Sequence, residues 1–477
     1  IFDIFQACRR FFYFIYFLVF TEFLSTSRKG CIFMNAKIFT ELLIKGDFKA
    51  VHSILDVMNV VDIALLLEEL NEKELAIAFR LIPKDKAADV FSNMSNTMQT
   101  NLVEMFTEKE LKEILDDLYM DDTVDLLEEL PANLVTRILN AVDSSKRNSI
   151  NLLLNYPEDS AGSIMTTEYV SLHQSMTVKE AMAHIKQVGI HKETIYTCYV
   201  LERRKLIGIV SAKDLMTMND DTVISEIMET EIISATTHTD QEEVAQLFSK
   251  YGLLAIPILD TGGLMVGIVT VDDAMDVMVE EATEDITIMA AMNPSEKSYF
   301  ETSVFSHAKN RIVWLLVLML SASITGAIIT RYEDAFSAIP LLVSFIPMLM
   351  DTGGNCCSQS STLIIRGLAL NEIRFRDIFK VIFKEFRIAL IVSVVLAFAN
   401  GLRIFLVYHD MKLAVVIGLS LIATVILSKL IGCVLPLAAK KVHLDPAIMA
   451  APLITTLVDT CSIIIYFSIA TQVFHLN

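Results

Sequence analysis

The chain has 477 residues, enough for two or three domains, and 53% of them are hydrophobic, more than a soluble globular protein usually carries. From Arg311 to the end there are nine acidic and thirteen basic side chains, a net of +4, whereas residues 34–310 carry a net of −25 within a total of −19. So acidic a half excludes a nucleic-acid binder, which needs a basic footprint, and leaves either a solvated surface or carboxylates gathered for a hard cation. The cysteines at 8, 31, 198, 356, 357, 433 and 461 form no CxxC pair and no zinc-type spacing, so they read as reduced cytosolic or membrane-embedded thiols.

Residues 1–33 contain an apolar run, Phe11 to Phe20, after Arg9 and Arg10. A signal-peptide core or a short signal-anchor would fit it, but no small-residue cleavage site follows and the run is short for a span. The reading adopted is a leader that is not translated, with Met34 as the start, and it is left out of the fold.

From Asn35 to about Tyr156 apolar residues recur at spacings of three and four, as in Ile63, Leu66, Leu67 and Leu70 and again in Val124, Leu127 and Leu130. The segment DIALLLEEL (62–70) is echoed by DTVDLLEEL (122–130), and Pro83 and Pro131 punctuate the pattern. The expectation is a solenoid-like stack of short helices over 34–156. Between 157 and 279 the rhythm changes to short β-runs alternating with helices, in two copies of about 164–222 and 223–279. LIGIVSAKDLM (206–216) returns as MVGIVTVDDAM (265–275), and MTTEYVSLHQSMTVKEAM (165–182) parallels METEIISATTHTDQEEVA (228–245). Each copy predicts strand, helix, strand, strand, helix. The doubled G-[IV]-V-[ST]-x-x-D signature resembles a tandem pair of CBS domains, regulatory modules many of which bind adenine nucleotides. On that resemblance Ser211, Asp214 and Thr270, with Asp273, would hold a ribose, although no basic phosphate partner is evident. An acidic connecting helix and linker follows over 271–300, carrying Asp272, Asp273, Asp276, Glu280, Glu281, Glu284 and Asp285.

Five apolar segments make up 301–477, at about 311–330, 339–365, 385–407, 413–439 and 447–471, each near the length that crosses a hydrocarbon core. Basic residues crowd the connection after the second (Arg366, Arg374, Arg376, Lys380, Lys384, Arg387) and follow the fourth (Lys440, Lys441), while Lys309 and Arg311 precede the first. By the positive-inside rule the protein is a multi-pass protein of the cell membrane, with its soluble domains cytoplasmic and its C-terminus outside. Asp459 lies near the middle of the last span, where an idle carboxylate is costly; it either faces a polar path or is a buried Asp bonded to Thr455, Thr456 or Thr460. The second span is interrupted by Pro347 and MDTGGNCCSQSST (350–362), in which Asp351 and Asn355 offer oxygen ligands; the stretch fits a water-filled path and a tight helix crossing equally well.

Together IPMLMDTGGNCCSQSSTLIIRGLA (346–369) and LDPAIMAAPLITTLVD (444–459) resemble the MgtE family of magnesium channels and transporters. The likeness continues through LIPKDKAADV (81–90), MDDTVDLLEEL (120–130), YPEDSAGSIMT (156–166) and EEATEDI (280–286). It implies a mainly helical, multi-domain membrane protein that works as a homodimer, with the ion path in the membrane domain and Asp459, joined by Asn355, as the pore contact. It also implies closure by cytosolic Mg²⁺ bound to a sensor formed by Asp89, Asp121 and Asp125 with Asp273, Asp276, Glu281, Glu284 and Asp285. The sequence departs from the family at Cys357, which stands for a glycine, and that puts ion selectivity in question. The function expected is Mg²⁺-gated Mg²⁺ uptake, with Mg²⁺ the one metal implied. The alternatives are transport of another divalent cation such as Co²⁺, or a membrane-anchored sensor of Mg²⁺ or nucleotide. The phosphate-binding GxxxxGK[ST] loop, HExxH and the nucleophile elbow are all missing, so no enzyme is expected.

Overall fold

The computed structural model describes residues 37–295, 299–300, 302–332, 339–370, 372–442, 444–449 and 451–475; the leader 1–33 lies outside the described residues. The chain divides into two compact units after Met275.

The first unit opens with a helix at 37–45 (α1). Helices α2 Phe48–Val57, α3 Val60–Glu68, α4 Glu72–Phe79, α5 Lys84–Ser92 and α6 Asn96–Met105 follow. The run continues through α7 Glu108–Asp117, α8 Met120–Glu129, α9 Ala132–Ala141 and α10 Ser144–Leu153. From α2 onward each helix starts twelve residues after the last, at 48, 60, 72 and so on to 144. The echo between 62–70 and 122–130 is therefore five such periods. Short side chains set the rhythm: Asn59, Asn71, Thr107 and Asp143 accept bonds from first-turn amides, and Pro83 and Pro131 stand just ahead of α5 and α9. Leu55, Ile63, Leu67, Leu102, Val124 and Ile138 turn inward and are fully buried. Basic side chains tie helices to the ends of others three places earlier. Lys86 Nζ donates to the carbonyls of Asp56 (2.6 Å) and Met58 (2.9 Å), and Lys146 Nζ to those of Leu115 and Leu118, meeting carbonyls that a helix end leaves unpaired.

Two three-stranded sheets follow. The first consists of β1 Ser171–Leu172, β2 Thr197–Glu202 and β3 Lys205–Ser211, with helix α11 Val178–Val188 ahead of β2 and α12 Ala212–Thr217 after β3. A short helix, α13 Ile224–Ile227, leads to the second: β4 Ala235–Thr236, α14 Gln241–Tyr251, β5 Ala255–Leu259, β6 Met265–Thr270 and α15 Val271–Met289. In both, the first strand pairs parallel and the last antiparallel to the middle one, with the same register slip at Val200/Leu201 and at Ile258/Leu259. The copies exchange their leading segments: Thr166 pairs with Ile268 of β6, and Glu229 with Ile209 of β3. The signature glycines make room for that exchange. A Cβ on Gly267 would lie 2.6 Å from the Thr166 carbonyl oxygen, and one on Gly208 would lie 2.6 Å from Met228 Sδ.

Among the described residues of the second unit, four segments are long and apolar enough to cross a membrane: Val304–Arg331, Phe375–Tyr408, Met411–Lys441 and Pro446–Phe474. They contain helices α16 Val304–Arg331, α18 Ile378–Tyr408, α19 Met411–Lys441 and α20 Ala451–Phe474. The fifth helix, α17 Ile346–Ala369, has 24 residues and so spans about 36 Å, but its polar middle keeps it outside that apolar set. The expected interruption at 350–362 is not there. The helix is continuous through it, and the irregular backbone is the 3₁₀ turn Pro340–Phe345 just before. Pro347 sits in the first turn, where its missing N–H costs nothing. The fold is thus a solenoid-like helical domain, a tandem CBS pair, an acidic connecting helix and a five-helix membrane domain.

Candidate functional site

Two groups of oxygen ligands stand out, one in each unit. In the membrane unit, α17 approaches α19 and α20 along small residues. A Cβ on Gly353 would meet Thr424 Cγ2 at 3.0 Å, Ser462 Oγ at 3.1 Å and Val458 Cγ1 at 3.1 Å, and one on Gly354 would meet Thr455 Cγ2 at 3.3 Å. The partner of Cys357 is also a glycine: a Cβ on Gly432 of α19 would lie 2.5 Å from the Cys357 carbonyl oxygen. The close approach that a glycine at 357 would allow is therefore supplied from the facing helix, and the Cys357 side chain is buried. Tyr466 Oη, on α20, donates to the Leu342 carbonyl (2.9 Å), fixing that helix to the turn that precedes α17. The outcome is a polar cavity of about 270 Å³ lined by Met350, Asp351, Gly354, Asn355, Ser358, Thr455 and Asp459. Asp351, Asn355 and Ser358 fall on one face of α17 by their spacing of four and three. Asp351 and Asn355 are exposed on the isolated chain and Asp459 is half-buried. Asp459 lines this cavity, and the neighbouring Thr460 hydroxyl meets that of Thr325 of α16 at 3.0 Å.

In the first unit, carboxylates from five stretches converge. Asp121 and Asp122 open α8, Asp272 and Asp273 open α15, Asp89 is on α5, and Glu168 and Glu193 come from segments flanking the first sheet. Glu168 Oε2 accepts from the Met120 amide (2.9 Å) and the Thr166 hydroxyl (3.0 Å), and the Glu193 amide donates to the Glu168 carbonyl (2.9 Å). Burial raises the Asp121 carboxyl well above its ordinary range, helped by the charges of Asp273, Glu193 and Asp122. Burial, then Asp273 and Asp89, pushes Asp122 up to about 7; burial, then Asp273 and Asp122, pushes Glu193 up to about 8. Asp89 is raised by burial and by Asp85. Lys146 stands close enough to Glu168 to feel its charge, but its own burial lowers it. Glu193 Oε2 is buried with no hydrogen-bond partner. An orphaned carboxylate oxygen among acids whose charges repel one another is the environment a divalent cation would relieve. Among the described residues no three His, Cys, Asp or Glu side chains close on one point, so the donor set fits a hydrated ion held through its waters better than a stripped one.

Of the expected sensor residues, the structure brings together Asp89, Asp121 and Asp273. Asp125 is exposed on α8, and Asp276, Glu281, Glu284 and Asp285 belong to the second unit. Sequence reasoning missed Asp122, Glu168 and Glu193. Asp122 stood inside a quoted motif; Glu168 and Glu193 had no helical spacing to mark them. It also passed over Lys429 and Glu385, charges within apolar runs that pair at 3.8 Å in the membrane unit. The ribose candidates are engaged locally. The Ser211 hydroxyl donates to Asp214 Oδ2 at 2.5 Å, and the Thr270 hydroxyl donates to Asp273 Oδ2.

Comparison with known proteins agrees with both halves. A family model described as a divalent cation transporter, MgtE, matches residues 346–469; the MgtE intracellular N domain matches 58–159, and CBS domains match 161–219 and 224–280. The magnesium transporter MgtE of Thermus thermophilus is 36% identical over 435 residues, covering 90% of this chain and 96% of that protein. The chain belongs to the MgtE family. Its Bacillus subtilis relative, also a magnesium transporter MgtE, is 34% identical, covering 91% and 96% of the two chains. The crystal structure of the soluble part of a magnesium transporter is 30% identical with a TM-score of 0.50, spanning 53% of this chain and 99% of that one. The MgtE model's 346–469 contains every residue lining the membrane cavity.

Proposed function

We propose that this protein is a magnesium transporter whose ion path runs past Asp459, Asp351 and Asn355, closed from the cytosol when Mg²⁺ binds the acidic cluster around Asp121, Asp122 and Glu193. The observation that carries the reading is the cavity itself. Two carboxylates, Asp351 and Asp459, and the Asn355 amide line one space within the helix bundle. Charge at that depth is retained where it serves an ion. Magnesium sheds its water reluctantly, so a space of this size with carboxylates on its wall suits an ion that keeps part of its shell. The cavity opens on a face of the isolated chain, which suits a homodimer in which a second copy completes the path. The soluble domains lie in the cytoplasm and the C-terminus outside, following the basic residues between the spans.

The gating half of the proposal follows from charge. Without cations the cluster's carboxylates repel one another, and binding between them draws their segments together, so cytosolic Mg²⁺ biases a two-state element. Asp276, Glu281, Glu284 and Asp285 extend that sensor along the connecting helix. At the CBS pair, Ser211, Asp214 and Thr270 would receive a ribose, and ATP titration of the purified protein checks it. The test of the transport reading is Mg²⁺ flux into vesicles carrying the full chain. Asp459→Ala is expected to abolish it in a folded protein, and parent-level flux in that variant refutes the path. Competition with Co²⁺ in the same assay separates a magnesium route from a general divalent one.

A further inference from the structure

Helix α17 carries polar groups on two opposite faces. One face lines the cavity. Ser360 lies nine residues beyond Asp351, two and a half turns, and so points the other way. There its hydroxyl donates to Glu385 Oε2 of α18 at 2.8 Å and accepts from Lys429 Nζ of α19 at 3.1 Å, while Lys429 and Glu385 are 3.8 Å apart. The two charged side chains are 5% and 8% exposed, and Ser360 is 1% exposed. Beside them Ile364, Leu368, Cys433 and Leu437 form an apolar cluster, so the helices already have a way to pack without charge. A buried pair of this kind is poor as a source of stability, since apolar residues of the same volume would do as well. Its best-attested use is to fix one arrangement among several.

Helix α17 has reason to need that. Its closest backbone approaches to α19 and α20 are at Gly353, Gly354 and, at Cys357, the facing Gly432, while Ile346, Leu349, Ile364 and Leu368 pack apolar surface on either side. Smooth seams and apolar contacts let the helices approach but carry no directional bond that fixes one rotation. Hydrogen bonds are directional and give that stop. The pair also leaves Glu385 neutralised by Lys429, away from the face where Asp351 meets the cavity.

We propose that Glu385, Ser360 and Lys429 form a clamp that sets the rotation of α17, and with it the spacing of Asp351 and Asn355 from Asp459; all three are positioning residues for divalent-cation transport. The inference rests on the cavity being the ion path. The test uses the full chain in vesicles, reading the half-saturating Mg²⁺ concentration, the Mg²⁺ to Co²⁺ preference and the maximal flux per folded protein. Ser360→Ala is expected to raise the half-saturating concentration about threefold to tenfold, the worth of one buried hydrogen bond, and to weaken the ion preference. Ser420→Ala is the control, because that buried hydroxyl bonds only the Val416 carbonyl of its own helix (2.8 Å), and it should move neither quantity. A purely structural role would lower the amount of folded protein and leave half-saturation and preference alone, and that result overturns the clamp. Should Ser360→Ala not fold, Lys429→Arg reads the same quantities, since a planar fork cannot reproduce the point donor; unchanged half-saturation there overturns it equally. Parent-level flux in Asp459→Ala would instead strike the path, whichever way the clamp variants behave.

Discussion

The two carboxylate groups of this protein are built from the same side chains and set in opposite ways. In the soluble unit Asp121, Asp122, Glu168, Glu193 and Asp273 crowd one another, and burial with mutual repulsion raises Asp121 well above its ordinary range, Asp122 to about 7 and Glu193 to about 8. In the membrane unit Asp351 and Asp459 share their cavity with an amide and hydroxyls, and the buried carboxylate Glu385 is matched by Lys429. On the proposed reading, occupancy of the crowded acids changes the shape of the chain, because what is relieved on binding is repulsion between segments. Spaced acids on a wall make a site an ion can leave. The proposed switch and the proposed path then differ by crowding, not by residue type.

The largest expected effect separates the two. Asp459→Ala should abolish Mg²⁺ flux while leaving intact the rise in thermal stability expected when Mg²⁺ binds the soluble unit of the full chain. If both vanish, the groups are not independent. Next in size, Asp122→Asn combined with Glu193→Gln should do the reverse. The Mg²⁺-dependent stabilisation should largely disappear and flux at low cytosolic Mg²⁺ persist, with transport no longer falling as Mg²⁺ rises. Flux that still closes at high Mg²⁺ in this variant would place the sensor elsewhere.

Much of this layout was legible in the chain. The echo of 62–70 in 122–130 reports the twelve-residue helical period, and the doubled signature around Gly208 and Gly267 gave strand order and repeat together. The membrane carboxylate announced itself because an apolar run makes any charge conspicuous. The acidic cluster was only half legible, for the opposite reason. In a stretch of net −25 no single acid stands out, and Glu168 and Glu193 reach the site only through the loops around the first sheet, which have no periodicity to follow. The exchange of leading segments between the CBS copies is a pairing across about a hundred residues, Thr166 with Ile268, that local pattern cannot encode. Lys429 was a conspicuous charge passed over, since its meaning depends on Glu385 and Ser360 of two other helices.

A smaller effect sharpens the contrast through pH. The cluster's carboxyls hold protons in the folded chain up to about 7 (Asp122) and about 8 (Glu193), against roughly 4 when unfolded. The folded state therefore binds more protons between those limits, and the stability they contribute is present below pH about 4 and lost as pH rises through 7 and 8. In Mg²⁺-free buffer the melting temperature should fall between pH 6 and pH 8.5. Mg²⁺ should restore it most at the alkaline end, where it replaces the lost protons. Calorimetry at the two pH values with and without Mg²⁺ checks this; an equal Mg²⁺ increment at both would mean that protons and the cation do not share the site.

The smallest effect inverts the sign. Glu110 in the helical solenoid has a basic partner: Arg80 Nε donates to its Oε1 at 2.7 Å, and the Thr107 amide to its Oε2 at 2.8 Å. Those bonds, the one from Arg80 first, hold its carboxyl down to about 2. Here the folded state binds fewer protons than the unfolded one, so the contribution is present above the ordinary carboxylate range and is lost as pH falls from about 4 toward 2. The side chain is a third exposed, so screening limits its worth to below about 1 kcal/mol. Glu110→Gln should accordingly lower the melting temperature slightly at pH 7, not at all at pH 2, and leave the Mg²⁺ response untouched. A loss of Mg²⁺ response in that variant would mean that acids with and without a basic partner are not the separate classes drawn here.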